Sequence, residues 1–190
     1  ITTFGVGELS ACNPIAGAYS EHIPVIHIVG SPPEKDQKEH KFMHHTLMDG
    51  NFDVFRKMYE QITAYSAVIT PENAMMEIPA AIRIAKEKKQ PVYLVVADDL
   101  AAKPIIVREV PVPQQRTSNK QTLQAATDYV RQLLERSKSP VILVDVKAMR
   151  FGLQTAVLEL ADAKKIPLAS MMLGKGAFDE THPSYIGMYL

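Results

Sequence analysis

The 190 residues contain a single cysteine, Cys12. One thiol closes no internal disulfide, so a disulfide-stapled secreted scaffold is excluded and a reducing compartment is the expected setting. There is no excess of either charge: Lys and Arg number 21, Asp and Glu number 21, and the formal net charge is +0. That balance lacks the basic footprint of a nucleic-acid binder, so no nucleic-acid partner is expected. No apolar run approaches the roughly 20 residues a helix needs to cross a bilayer, so no membrane partner is expected and the location is read as cytoplasmic. The opening ITTFGVGELSA has neither Met nor a positively charged lead, and so shows no signal peptide. It reads as a strand end entering a turn, which makes Ile1 an expected internal position of a longer protein. Low-complexity tracts and obvious internal repeats are also missing. What remains is ordinary globular composition, 46% hydrophobic and 22% charged, with room for one or two domains.

Five short, β-branched, near-continuous apolar runs stand out: VIHIVG (25–30), AYSAVIT (64–70), PVYLVVA (91–97), PVILVDV (140–146) and IPLASMM (166–172). Such runs suit strands buried on both faces of a parallel sheet. Helical patterns alternate with them, so the expected fold class is α/β with parallel sheets. ELSACNPIAGAYSEH predicts a small-residue helix, irregular at Asn13-Pro14. FDVFRKMYEQI predicts a second. TPENAMMEIPAAIRIAKEKK predicts a third, with Thr70 as N-cap, Pro71 at the first helical position and Ala74, Ile78, Ala81, Ile82 and Ala85 on its inner face. Three prolines within ten residues, Pro104, Pro111 and Pro113, mark an extended connector over 105–118. Residues 1–104 and 119–190 are then two separate α/β units. The second opens with an amphipathic helix whose Leu123, Ala126, Val130, Leu133 and Leu134 are expected to face inward.

Two absences shape the reading of the motifs. TTFGVGELSA is a strand end with Gly-x-Gly before a helix, but the third glycine of the dinucleotide fingerprint is missing. It is either a tight βα turn or a place where a ligand approaches bare backbone at the carboxyl end of a parallel strand. LGKGAF likewise lacks the rest of a phosphate loop and reads as a βα connection. Among the six histidines, His27 lies inside an apolar strand and reads as a hydrogen-bonded core residue, while His22 sits at a helix end. His40 and His44 have i, i+4 spacing, yet no H-E-x-x-H arrangement or neighbouring cysteine supports a metal site, and none is assigned. The adjacent pair His44-His45 is unusual. Neighbouring residues share neither a helix face nor a strand face, so a pair presents two imidazoles to one ligand only where the backbone turns. Flanked by Phe42, Met43, Leu47 and Met48, it is suited to proton transfer beside a substrate whose charge changes.

Taken in order, TTFGVGELSA, AYSEHIPVIHIVG, HHTLMDGNFDVF, QPVYLVVADDL, SPVILVDV and GKGAFDETHPSYIG resemble the thiamine-diphosphate-dependent 2-keto acid decarboxylases, which act on pyruvate, indolepyruvate, phenylpyruvate and branched-chain keto acids. The G-V-G-E-L-S-A turn and the H-H-T-L pair are the most specific pieces. The resemblance implies that 1–104 is the C-terminal half of a pyrimidine-binding domain, 105–118 a linker and 119–190 the N-terminal part of a central Rossmann-like domain. It implies a lyase that turns a 2-keto acid into an aldehyde and CO2 through a carbanion/enamine on thiamine diphosphate. It carries His44 and His45 over as proton relay and electrostatic partners of the substrate carboxylate. Thr3 and Val6 are carried over as contacts to the aminopyrimidine, with Gly5 and Gly7 permitting close approach and Glu8 bracing the turn. Mg2+ is implied as well, with ligands expected in a C-terminal domain whose G-D-G…N-N motif these residues do not contain. The activating glutamate of the family would precede Ile1, so the 190 residues alone carry part of a site and are not expected to catalyse. Self-association as a homodimer or dimer of dimers is implied, leaving the apolar flank of the His pair uncovered in one copy. A regulatory cysteine of some yeast members has no match in VILVDVKAM. Two alternatives stay open on the residues: a non-catalytic α/β nucleotide-binding module, and a thiamine-dependent carboligase, which the His pair disfavours.

Overall fold

The structure, a computed structural model, describes residues 1–107 and 117–189. Two compact units, Ile1–Val110 and Pro111–Leu190, divide the chain. Residues 108–116 of the expected connector lie outside the described residues.

The first unit is a parallel sheet of four strands in the order β1-β2-β4-β3, formed by β1 (Thr2–Thr3), β2 (Ile26–Ser31), β3 (Ser66–Ile69) and β4 (Val92–Ala97). β4 is apolar at every position and lies between β2 and β3, with all but one residue buried. This is the pattern of a strand covered on both faces. Parallel pairing forces each connection across the sheet, and helices fill those connections. They are α1 (Val6–Ser10) and α2 (Cys12–Ser20), then α3 (Glu34–Lys38) and α4 (Val54–Tyr59), then α5 (Ala74–Lys88). Parallel strands also send their carboxyl ends the same way, which gathers the turn after β1 and the long connection after β2 at one end of the sheet.

Local details depart from expectation for identifiable reasons. The helix expected from Glu8 to His22 is two helices divided at Ala11, and Pro14 sits in the first turn of α2, where no intrahelical donor is required. α5 starts at Ala74 with Asn73, not Thr70, at the N-cap. The Asn73 side chain accepts from Thr70 N–H at 2.8 Å and donates to the Val68 carbonyl at 2.9 Å, so Thr70 to Asn73 close a turn before the helix begins. Ala74, Ala81 and Ala85 bury against the sheet as expected, but Ile78 and Ile82 lie on an exposed flank. Small side chains let the helix lie close to the strands, and Ile84 fills the other side.

The second unit has a three-stranded parallel sheet, β5-β6-β7, made of Ile142–Val144, Leu168–Ser170 and Tyr185–Met188. Helices α6 (Lys120–Arg136), α7 (Val146–Arg150) and α8 (Gln154–Lys164) accompany it. β5 is shorter than its apolar run because Asp145 leaves the strand and caps α7, accepting from Val146 N–H at 2.8 Å. Val144 and Leu168 face Ala148, Ala177 and Phe178 in this unit's core. The Gly174-Lys175-Gly176 segment is not a strand-to-helix connection: a 3-10 turn, Met172–Gly174, leads on to β7. The inward-facing set expected on α6 is corrected too. Leu123, Val130 and Leu133 are 55%, 52% and 50% exposed, Ala126 is exposed and Leu134 half-buried. The amphipathic period is real, but among the described residues no surface covers it.

Candidate active site

The turn from β1 into α1 is set by its sequence. Gly5 has φ 60 and ψ −110, a conformation open to glycine and strained for other residues. Its carbonyl accepts from Leu9 N–H at 2.9 Å, and its N–H donates to the Glu8 carboxylate at 2.7 Å. Glu8 is only 3% exposed. Its second carboxylate oxygen accepts from the Tyr93 hydroxyl, and its backbone carbonyl accepts from the Tyr59 hydroxyl. Burial pushes the Glu8 carboxyl pKa up, while the bonds from Tyr93 and Gly5 oppose that rise. Tyr59 and Tyr93 stack at 4.5 Å between centroids, and His27 meets both edge-on at 5.1 and 5.4 Å. Burial is also the main cause raising both phenols. His27, with Nε2 2.9 Å from Thr2 Oγ1, is the buried core histidine that its strand position predicts, and burial lowers its pKa.

The connection after β2 is irregular and tied together by short side chains. Thr46 Oγ1 donates to the Met43 carbonyl at 2.6 Å and accepts from Met48 N–H at 3.1 Å. Asp49 accepts from Asn51 N–H, and Asn51 accepts from Asp53 N–H, two successive Asx turns that lead into α4. His40 Nδ1 donates to the Gly50 carbonyl at 3.0 Å. It is therefore engaged in the loop rather than paired with His44. Among the described residues there is no group of three His, Cys, Asp or Glu side chains able to hold a metal ion. α4 is fixed by Arg56, which donates to Asp53 and Glu60 and holds the Asp53 carboxyl below its usual range.

The backbone does turn at the His pair. His45 has φ 68, and the two imidazoles lie with centroids 4.0 Å apart, tilted by 42°. This turn lets neighbouring residues share one face. The His45 ring is 6.1 Å from Phe4, and its backbone carbonyl lies against Gly5, where a methyl group would sit 1.5 Å from the oxygen. The structure thus brings His45 and Gly5 into direct backbone contact at the carboxyl end of β1. Gly5 is buried beneath that carbonyl, so its missing side chain serves the contact between the two loops. Gly7 is crowded from the other side, where a methyl group would sit 2.6 Å from Thr3 Cγ2. Thr3, Val6 and His44 are exposed and His45 is half-buried. The chemistry on offer is two adjacent imidazoles whose loop packs on the turn that carries the exposed Val6.

The sequence reading missed Tyr59 and Tyr93. The available signal was a tyrosine inside the aliphatic run PVYLVVA, since a buried phenol needs a partner for its hydroxyl. Glu8, three residues after a glycine at a helix start, was legible as a brace.

Two family models match the chain. Residues 1–53 match the thiamine pyrophosphate enzyme N-terminal TPP binding domain, and residues 127–190 match the thiamine pyrophosphate enzyme central domain. The chain is 39% identical over 194 residues to pyruvate decarboxylase isozyme 2 of Saccharomyces cerevisiae, covering 100% of this chain and 34% of that protein. It is 36% identical over 190 residues to the alpha-keto-acid decarboxylase of Mycobacterium leprae, covering 100% and 33%. It is 40% identical over 199 residues to the pyruvate decarboxylase of Hanseniaspora uvarum, covering 100% and 34%. The chain therefore spans about a third of the length of the curated relatives it matches. With both domain types in sequence order, the chain belongs to the thiamine pyrophosphate enzymes, and over its whole length it is similar to pyruvate and alpha-keto-acid decarboxylases.

Proposed function

We propose that the chain is part of a non-oxidative 2-keto acid decarboxylase, a carboxy-lyase that releases CO2 and an aldehyde and uses thiamine diphosphate with Mg2+. The observation that carries the reading is the packing of the His45 backbone on Gly5, the residue before Val6, which supports a shared site for the His pair and the turn. Val6, 52% exposed, offers a branched apolar surface to a flat heteroaromatic ring, with Thr3 exposed nearby. This fits an aminopyrimidine. We assign the Mg2+ and diphosphate ligands, as the family resemblance implies, to a C-terminal domain. Residues 1–104 are then the pyrimidine-binding half-domain, 105–118 a linker and 119–190 the start of the central domain.

When bound, the cofactor supplies the electron sink for decarboxylation. His44 and His45 orient the substrate carboxylate and move a proton at their ring nitrogens. Phe42, Met43, Leu47 and Met48 form the apolar surround that keeps water out once a partner covers them. Phe42, Leu47 and Met48 are exposed in the single chain, which supports assembly into a homodimer or homotetramer. Among the described residues no helix is long and apolar enough to cross a membrane, and a cytoplasmic enzyme is our reading. Pyruvate and indolepyruvate are the substrates to try first. The test is to supply the intact protein with thiamine diphosphate, Mg2+ and each keto acid, and to measure aldehyde with an NADH-coupled alcohol dehydrogenase. Aldehyde equal to the keto acid consumed is expected. Carboligated product without aldehyde would move the protein to the carboligases.

A further inference from the structure

The shape of the turn after β1 is fixed from below. The Gly5 N–H is held by a carboxylate, and that carboxylate is anchored to elements far away in sequence. Tyr93 reaches Glu8 from β4, an inner strand of the sheet, and Tyr59 reaches the Glu8 carbonyl from α4. Both phenols are raised by burial, so they act as hydroxyl donors. Each Glu8 carboxylate oxygen thus accepts one donor in a buried place, the arrangement in which such bonds count for most. A small cavity beside Glu8 is also lined by Gln37 of α3, Thr46 of the His loop, Asp53 just before α4 and Arg56 of α4. Through the Gly5 N–H, Glu8 is bonded to the residue whose backbone abuts the His45 carbonyl.

Resting on the decarboxylase reading, we infer that Glu8 is a positioning residue: it fixes Gly5, and through Gly5 the mutual placement of Val6 and His45, so that the turn is preorganised to receive the cofactor's ring. Glu8 touches neither the ring nor the substrate. Its carboxylate holds the Gly5 N–H in the left-handed geometry that allows Gly5 to lie flat against His45. Without it that N–H is buried and unpaired, and the dihedrals at Gly5 relax into the wide range open to glycine. Val6 and His45 then lose their common reference.

The test uses the intact protein with Glu8→Asp, Glu8→Gln and Tyr93→Phe. Three quantities are read: the thiamine diphosphate dissociation constant at a temperature where circular dichroism shows every variant folded, kcat against KM for the keto acid, and hydrogen exchange at the Gly5 amide without cofactor. Aspartate is one methylene too short to reach Gly5 while Tyr93 keeps hold of it. Glu8→Asp is expected to weaken cofactor binding about tenfold or more, the change that follows from losing a hydrogen bond to a charged group. Its Gly5 amide should exchange faster, and kcat should fall with KM nearly unchanged. Glu8→Gln retains an oxygen for the Gly5 N–H and should recover most of the affinity. Tyr93→Phe removes the other donor to the same carboxylate without removing the ring and should likewise weaken the cofactor by about tenfold. A folded Glu8→Asp protein with parental cofactor affinity and parental kcat overturns the inference alone. A parent protein that binds no thiamine diphosphate overturns the decarboxylase reading and this role with it.

Discussion

The contact between Gly5 and His45 makes a sharp prediction for Gly5→Ala. The substitution adds one methyl group. At φ 60 and ψ −110 an alanine is strained, at a cost of about 1–3 kcal/mol for holding a sparsely populated backbone region. The larger effect is steric. The new carbon would sit 1.5 Å from the His45 carbonyl oxygen and 2.7 Å from its carbonyl carbon. Both are backbone atoms, so no rotamer change relieves the clash. Ordinary contact begins near 3.4 Å, so the two loops must separate by roughly 2 Å. Catalytic groups misplaced by ~1 Å can lose 10²-fold in rate. The expected result is a folded but destabilised protein whose kcat for decarboxylation falls by about 10²-fold or more. The assay is the coupled aldehyde measurement in the intact protein, with thermal unfolding run alongside. Gly7→Ala is the internal comparison, because its methyl group meets the Thr3 side chain, which can rotate aside. If Gly5→Ala keeps kcat within about threefold of the parent, the backbone contact does not position His45 for turnover and the reasoning fails.

Three further outcomes are expected. His44→Ala and His45→Ala should each lower kcat by about 10²- to 10⁴-fold while leaving the thiamine diphosphate dissociation constant nearly unchanged, since general acid-base work is done on reacting species; near-parental turnover in both variants would remove them from the mechanism. His27 is buried and its pKa is depressed below 6.5, chiefly by desolvation, so protonation favours the unfolded chain. Its stabilising share is then present above about pH 6.5 and lost as the pH falls below it, and His27→Gln should flatten that part of the dependence of Tm on pH; an unaltered slope counts against the assignment. Leu133→Lys, on the exposed face of α6, should change unfolding free energy by no more than about 0.5 kcal/mol in a single dissociated chain, and a loss above about 1.5 kcal/mol would mean that the face is covered.

The α/β class was readable because β4 states it in composition: PVYLVVA is apolar throughout, and only a strand covered on both faces accepts that. Strand ends were less readable, since a single capping group decides them. Asp145 ends β5 by bonding Val146 N–H, although the apolar run continues past it. Asn73 displaces Thr70 at the start of α5 through two bonds back to the preceding strand and turn. Periodicity identified α6 as amphipathic but could not say what covers its apolar face, because a pattern along one helix holds no information about a second surface.

The site divides along the same line. His44 and His45 could be singled out as candidates because adjacent imidazoles have no good place in a regular element, and the structure has a left-handed residue at His45. The glycines of the turn could be singled out as well, but not what lies against each: the His45 carbonyl at Gly5 and the Thr3 side chain at Gly7. What stayed hidden was long-range. Nothing local to Glu8 points to Tyr93, 85 residues away, or to Tyr59, 51 residues away. Those two hydroxyls turn an ordinary helix-start carboxylate into a buried tie between the sheet, α4 and the turn. A buried carboxylate costs stability unless it is fully bonded, and here one of its bonds goes to the residue whose backbone abuts His45. The chain thus bonds a costly buried group to Gly5, one of the two residues, with Phe4, through which the turn meets His45, and a proposed site is best served by such fixed placement.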